Sequence, residues 1–175
     1  IHYTETKTLT EAIKLLCSDQ RKVSCHYIIN SNGKIYNLVE DSKRAWHAGV
    51  SCWSSDLDIN NKSIGIELVY KGELSRSSYK VKQIDSLINL LKNLKKKYFI
   101  KDYNILGHSD IAPERKIDPG IYFPWNKLSN YSIGLWYELD SKLAHESLKK
   151  DLKKTELFDF YNYLKKIGYS KITPK

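Results

Sequence analysis

Apolar positions along this chain follow two rhythms, one of period two and one near 3.6, and the switches between them predict an ordered set of elements. Ile1-His2-Tyr3-Thr4 has strand-like composition. Thr10–Leu16 carries apolar residues at 12, 13, 15 and 16 and predicts a short helix with Thr10 as its cap. Val23–Ile29 reads as a strand, and Lys34–Val39 as another. Asn32-Gly33 between them predicts a hairpin. Ile64–Tyr70 alternates, with Ile64, Ile66 and Leu68 on one face and Gly65, Glu67 and Val69 on the other. From Tyr79 to Tyr98 the period lengthens: Val81, Ile84, Leu87, Ile88, Leu91 and Leu94 form the apolar face of a long helix. Asn104-Ile105-Leu106 predicts a further short strand. This order implies an α/β fold, a mixed central β-sheet flanked by helices.

The character changes after Trp125. Residues 129–137 read as loop, and 142–154 as a Lys-rich linker. Thr155 is placed to cap a last helix bearing Leu157, Phe160, Tyr161, Leu164 and Ile167, with Gly168 as its C-cap. The expected organisation is a main domain over 1–136. Residues 137–175 are expected to hold a linker and the first helix of an incomplete second domain.

Composition narrows the function classes. At 175 residues, with 41% hydrophobic and 12% aromatic positions, the chain can bury a core without disulfides and is not a disordered one. A net charge of +9 favours polyanionic partners: nucleic acid, anionic membrane or an acidic wall polymer. The runs Lys95-Lys96-Lys97 and Lys149-Lys150 read as solvated helix faces. Cys17, Cys25 and Cys52 fit no zinc knuckle or redox pair and are expected to be buried, inert thiols. No apolar run reaches transmembrane length. The chain has no Met, so it reads as processed or excerpted, and no signal peptide is visible at its start.

The densest chemistry lies in Gly107–Gly120, GHSDIAPERKIDPG. Two Pro and two Gly exclude a regular helix or central strand there. Its imidazole, carboxylates and ammonium are costly to bury unless paired or bound to a metal. A hydrolytic zinc site takes three His or carboxylate ligands and leaves one position open. His108 and Asp118 suit two of them by a fold-back of irregular chain. His2, at a strand end, and His26, within a strand, compete for the third, while His145 reads as exposed. Lys116 lies two residues before Asp118, on the side where it would meet a developing oxyanion. Glu67 is a carboxylate in an apolar strand and suits a general base of raised pKa. Arg44–Val50 reads as a groove wall built around Trp46 and His47.

Taken together, HYT at 2–4, SCHYIINSNGKIYNLV at 24–39, RAWHAG at 44–49, NNKSIGIEL at 60–68 and GHSDIAPERKIDPG resemble the zinc-dependent N-acetylmuramoyl-L-alanine amidases of the amidase type 2 family, related to peptidoglycan-recognition proteins. Phe123-Pro124-Trp125 extends the resemblance to the AmiD type. The resemblance covers residues 1–136. It implies zinc as cofactor, held by His2, His108 and Asp118, with Glu67 as catalytic acid–base and Lys116 stabilising the transition state. It implies that His47, Trp46, His26 and Arg115 line or support the substrate site. The implied reaction cleaves the amide between the lactyl group of N-acetylmuramic (or anhydro-N-acetylmuramic) acid and L-alanine in peptidoglycan or muropeptides. A non-catalytic peptidoglycan receptor of the same fold is the alternative, and a nucleic-acid partner rests on charge alone. The implied compartment is the bacterial cell envelope, as a periplasmic or lipid-anchored protein, with a cytoplasmic recycling role as the alternative. Residues 157–175 resemble the opening helix of a small peptidoglycan-binding domain.

Overall fold

A computed structural model of the chain describes residues 1–137 and 153–169. Most of the expected Lys-rich linker lies outside these residues, as does His145. Four short strands make one sheet: β1 (His2–Tyr3), β2 (Tyr27–Ile29), β3 (Ile35–Asn37) and β4 (Ile66–Leu68). Their spatial order is β1-β4-β2-β3, with β4 parallel to β1 and β2 and only β2–β3 antiparallel. The hairpin at Asn32-Gly33 is as expected: Ile29 pairs with Ile35 across a turn in which Gly33 has φ +90°.

The strands are shorter than their apolar runs. Upstream of β2, the Ser24 N–H donates to the Trp46 carbonyl at 3.0 Å, so a loop draws that segment off the ladder. The expected strand at 104–106 is absent. Asp102–Asn104 is a 3-10 turn, and the following residues run beside β1 without joining the sheet. There the Ile1 amine donates to the Leu106 carbonyl at 2.7 Å, and the His108 N–H donates to the Ile1 carbonyl at 3.2 Å.

Helix α1 (Leu9–Leu16) starts at Thr8 rather than Thr10. Glu11 lies three residues after Thr8 and closes a capping box: Thr8 Oγ1 accepts the Glu11 N–H at 3.2 Å and Glu11 Oε2 accepts the Thr8 N–H at 3.2 Å. Thr10 has Ile13 at the matching position and cannot do this. A short helix α2 (Ile59–Lys62) precedes β4. Helix α3 (Val81–Tyr98) buries Ile84, Leu87, Ile88, Leu91 and Leu94 against Ile29, Ile66 and Leu68 of the sheet. Gln83 is buried in the same face because Nε2 donates to two carbonyls, that of Ile29 in β2 at 2.9 Å and that of Val69, just past β4, at 3.1 Å. The other sheet face packs Ile28 and Val69 with Ala12 of α1 and Cys25. Cys25 and Cys52 are buried, whereas Cys17 is exposed, contrary to expectation, and no disulfide joins the three.

Leu87 is fully buried at the centre of the α3–sheet contact. Leu87→Ala is expected to cost about 2–5 kcal/mol, the range for a cavity left in a close-packed core. Urea unfolding monitored by circular dichroism measures it, and a loss below about 1 kcal/mol would contradict this packing.

Past α3, the charged loop opens with a four-residue helix α4 (His108–Ile111), contrary to the expectation of no regular helix there, because both Pro residues and Gly120 fall after it; helix α5 (Trp125–Ser129) follows the loop. The C-terminal helix, Lys154–Ile167, begins one residue before Thr155, with the Lys153 N–H donating to Glu156 Oε2 at 2.8 Å. Gly168 ends it at φ +126°. Phe158, Phe160 and Tyr163 are exposed on this helix, but its end is seated on the main body. The Ser54 N–H donates to the Gly168 carbonyl at 2.7 Å, the Tyr169 ring meets Trp53 edge-on at 5.1 Å, and the Tyr169 hydroxyl donates to Asp110. A Cβ at Gly168 would lie 2.5 Å from the Trp53 ring, so only glycine fits this approach.

Candidate metal centre and active site

Strand alternation puts two chemically active side chains on one face of the sheet. His2 and Glu67 are register partners across β1 and β4. Ile1, Tyr3, Ile66 and Leu68 all pack toward α3, so the residues between them, His2 and Glu67, project the other way. His108 opens α4 beside β1, where Asp110 Oδ2 accepts the Gly107 N–H at 2.7 Å. Asp118 returns to the same place because the Ser109 N–H donates to its carbonyl at 2.9 Å. The Asp118–Pro119 bond is cis, and the Tyr79 hydroxyl donates to the Pro119 carbonyl at 2.7 Å.

His2, His108 and Asp118 are all buried, and their donor atoms converge. His2 Nδ1 lies 3.0 Å from His108 Nδ1 and 3.0 Å from Asp118 Oδ2, and His108 Nδ1 lies 3.1 Å from the same oxygen. His108 Nε2 is 3.0 Å from the Ala48 carbonyl, which can only accept, so Nε2 carries a proton and Nδ1 of the neutral ring is a bare lone pair. That lone pair and the Asp118 carboxylate oxygen repel unless positive charge lies between them, and His2 Nδ1 faces the same point. The spacings approach the edges of a tetrahedron with bonds of about 2.0–2.1 Å. The donor set therefore fits a zinc ion.

Glu67, Lys116, Trp46, His47 and Arg115 line a cavity of about 440 Å³ together with the three donors. Among the described residues, Glu67 Oε2 is the one buried side-chain oxygen or nitrogen without a hydrogen-bond partner. Burial first, and the nearby Asp118 carboxylate second, push the Glu67 carboxyl up to about 8. An orphaned carboxyl facing a cavity stands ready to exchange a proton.

This has a consequence for the metal-free protein. Its Glu67 holds a proton up to about pH 8, whereas the unfolded chain releases it near 4.5. The native state thus binds more protons between these values, and stability falls as pH rises through the window. Glu67→Gln is expected to flatten that slope, read by urea unfolding of metal-free protein at pH 5 and pH 8. An unchanged slope would show that Glu67 titrates normally.

A family model described as N-acetylmuramoyl-L-alanine amidase matches residues 1–121. The chain belongs to this amidase family. It is 38% identical over 149 residues to N-acetylmuramoyl-L-alanine amidase AmiD of Escherichia coli, covering 78% of this chain and 53% of that protein. To the 1,6-anhydro-N-acetylmuramyl-L-alanine amidase AmpD of Haemophilus influenzae it is 41% identical over 108 residues, 62% of this chain and 58% of the relative. The chain thus spans little more than half the length of these curated relatives. Among solved structures, E. coli AmiD in complex with anhydro-N-acetylmuramic acid-L-Ala-D-γ-Glu-L-Lys superposes with a TM-score of 0.80 at 31% identity, covering 99% of this chain and 71% of AmiD. AmpDh3 of Pseudomonas aeruginosa gives 0.82 at 31% identity, covering 99% and 74%.

Within this amidase frame the remaining expected residues separate. Trp46 is 52% exposed at the cavity rim, with the Arg44 guanidinium 4.1 Å from its ring centre. Arg115 Nη2 donates to the Ala48 and Val50 carbonyls, both at 2.8 Å, so part of its guanidinium clamps the loop around the cavity. His26 is not placed for substrate contact: it is fully buried, Nε2 donates to the Lys43 carbonyl at 2.9 Å, and Nδ1 accepts the Gly65 N–H at 3.0 Å. It ties the Lys43 loop to the residue preceding the Ile66–Leu68 strand. Two residues that the sequence reading passed over also belong here. Asn60 Oδ1 accepts the His47 and Ala48 N–H groups at 2.9 and 2.8 Å, and Ser63 Oγ lies 3.3 Å from His47 Nε2. Both sit in the NNKSIGIEL segment, but nothing local in it points to residues 47 and 48.

Proposed function

We propose that this chain is a zinc-dependent amidase that hydrolyses the bond between the lactyl carbonyl of N-acetylmuramic or anhydro-N-acetylmuramic acid and the nitrogen of L-alanine. The observation that carries this reading is the convergence of His2, His108 and Asp118 in one cavity with the unpartnered Glu67 carboxyl. The family match and the substrate held in the E. coli AmiD complex support the choice of bond.

In this reading His2 and His108 supply neutral imidazole donors and Asp118 a carboxylate oxygen. When bound, zinc supplies Lewis acidity that polarises the scissile carbonyl and favours ionisation of water. Glu67 takes a proton from the attacking water and later delivers it to the departing L-alanine nitrogen as the carbon–nitrogen bond breaks, leaving a carboxylic acid and a free amine. Positive charge at the three-donor cluster offsets the Asp118 charge, so Glu67 ionises more readily there than in the metal-free protein. Lys116 brings an ammonium to the same cavity, where it stabilises negative charge developing on the carbonyl oxygen. The open side of the cavity, edged by Trp46 and Arg115, admits the sugar and stem peptide.

Incubation with anhydromuropeptides and with whole peptidoglycan, followed by mass spectrometry, tests the reading. Release of free stem peptide is expected. Binding without cleavage by zinc-loaded protein would favour the receptor alternative. We further propose that, beyond a linker, the helix Lys154–Ile167 is the first of a peptidoglycan-binding-like unit, supported by Phe158, Phe160 and Tyr163, which it leaves exposed. The AmiD likeness supports the cell envelope as its compartment, tested by fractionating cells that produce the native protein. No described helix is long and apolar enough to cross a membrane.

A further inference from the structure

The amidase reading makes His2 a donor through Nδ1, and this requires the single proton of the neutral ring to sit on Nε2. His2 Nε2 lies 3.0 Å from His47 Nδ1, so His47 decides where that proton is. His2 is buried and His47 half-buried, and a ring that donates to a metal through one nitrogen is the neutral form. In the neutral form each ring has one N–H and one acceptor nitrogen.

His47 is held from its other edge. Its Nε2 is 3.3 Å from Ser63 Oγ, and that hydroxyl lies 2.5 Å from the Ile59 carbonyl. A carbonyl only accepts, so the one hydroxyl proton of Ser63 is committed to Ile59, by much the shorter of its two contacts. Ser63 Oγ must then accept from His47 Nε2–H. That leaves His47 Nδ1 bare, and it accepts from His2 Nε2–H. One main-chain carbonyl in α2 thus sets the direction of three consecutive hydrogen bonds.

We propose that Ser63 and His47 form a positioning relay that fixes His2 as its Nε2–H tautomer and turns Nδ1 toward His108 and Asp118. His47 is then a positioning residue as well as part of the cavity wall. The surroundings fit this role. Asn60 pins the His47 and Ala48 N–H groups, and a Cβ at residue 65 would fall 2.3 Å from the His47 ring, so Gly65 is what lets the ring lie there. The rings of His2 and His47 meet edge-on at 5.1 Å. One residue further, the Ala48 carbonyl accepts the hydrogen bond from His108 Nε2–H. Residues 47 and 48 therefore orient both imidazole donors, one through a side chain and the other through the main chain. Outer partners of this kind are worth a 10–100-fold change in metal affinity.

The inference rests on the zinc reading, and the experiment keeps the two apart. Zinc affinity is measured by competition with a chromophoric chelator for the wild type, His47→Leu, His47→Asn and Ser63→Ala. In parallel, long-range proton–nitrogen NMR of the metal-free proteins reports the His2 tautomer. Asn places an accepting Oδ1 near the position of Nδ1, and Leu cannot accept. The Leu variant is expected to bind zinc about 10–100-fold more weakly, with Asn recovering most of that loss. Ser63→Ala is expected to show both His2 tautomers where the wild type shows Nε2–H alone. Unchanged affinity in the Leu variant, equal losses in Leu and Asn, or an unmixed His2 tautomer in Ser63→Ala would overturn the relay while leaving the zinc reading intact. Failure of the wild type to bind zinc would overturn both.

Discussion

Asp118→Ala protein is expected to lose zinc affinity by about 100-fold or more and to lose amide hydrolysis at micromolar zinc. The magnitude follows from position, since disturbing an outer partner of a ligand already costs 10–100-fold and Asp118 is assigned as a ligand itself. Asp118 Oδ2 is the one anionic donor of the three, and it lies within 3.1 Å of both imidazole nitrogens. Without it, two neutral rings remain, with neither the charge nor the third ligand that a hydrolytic zinc site uses. Chelator competition and metal analysis of purified protein measure the loss. Stoichiometric zinc at wild-type affinity in the variant would remove Asp118 from the ligand set. Chelation of the wild type is expected to give the same inactive state, reversed by added zinc.

Glu67→Gln separates metal binding from chemistry. The substitution keeps the shape of the side chain and removes its ability to take a proton. Zinc affinity is expected to stay close to that of the wild type, while kcat/KM falls by about 10²–10⁴-fold, the usual contribution of a positioned general base. Lys116→Ala is expected to spare zinc as well and to lower kcat by about 10²–10³-fold, as loss of a single oxyanion donor does. Steady-state hydrolysis of an anhydromuropeptide reads both. Near-normal turnover in the Gln variant would take the proton-transfer role away from Glu67. A large loss of zinc in either variant would mean that the site, rather than the chemistry, had been damaged.

Periodicity makes the framework legible in the sequence itself. The apolar rows of α3 and the Asn-Gly hairpin declare themselves locally, because propensity, spacing and turn chemistry agree there. The charged loop was legible for a different reason: buried-cost arguments leave few uses for so many ionisable groups in one irregular segment. Choosing His2 over His26 was not possible on such grounds, since both lie in β-type sequence. The structure separates them by what lies nearby, main-chain partners on both nitrogens of His26 against two further donor side chains around His2. Asn60 and Ser63 escaped because their roles depend on pairing with residues more than ten positions away. The start of α1 was misplaced because two threonines compete, and only the partner three residues later distinguishes them. The strand expected at 104–106 failed because an apolar triplet does not specify whether its backbone joins a ladder.

The register of β1 against β4 bears on how this molecule could be proofread. His2 opposes Glu67 only in the observed pairing. Slipping the first strand by one residue would turn His2 into the packing beneath α3 and offer Ile1 or Tyr3 to the cavity. Such a chain keeps nearly the same secondary structure and has no third ligand. Bulk spectroscopic signals would scarcely tell it from the native form, whereas zinc uptake would. The metal site therefore doubles as a reporter of strand alignment: the fraction of a preparation that takes up zinc counts the molecules whose first strand is in step.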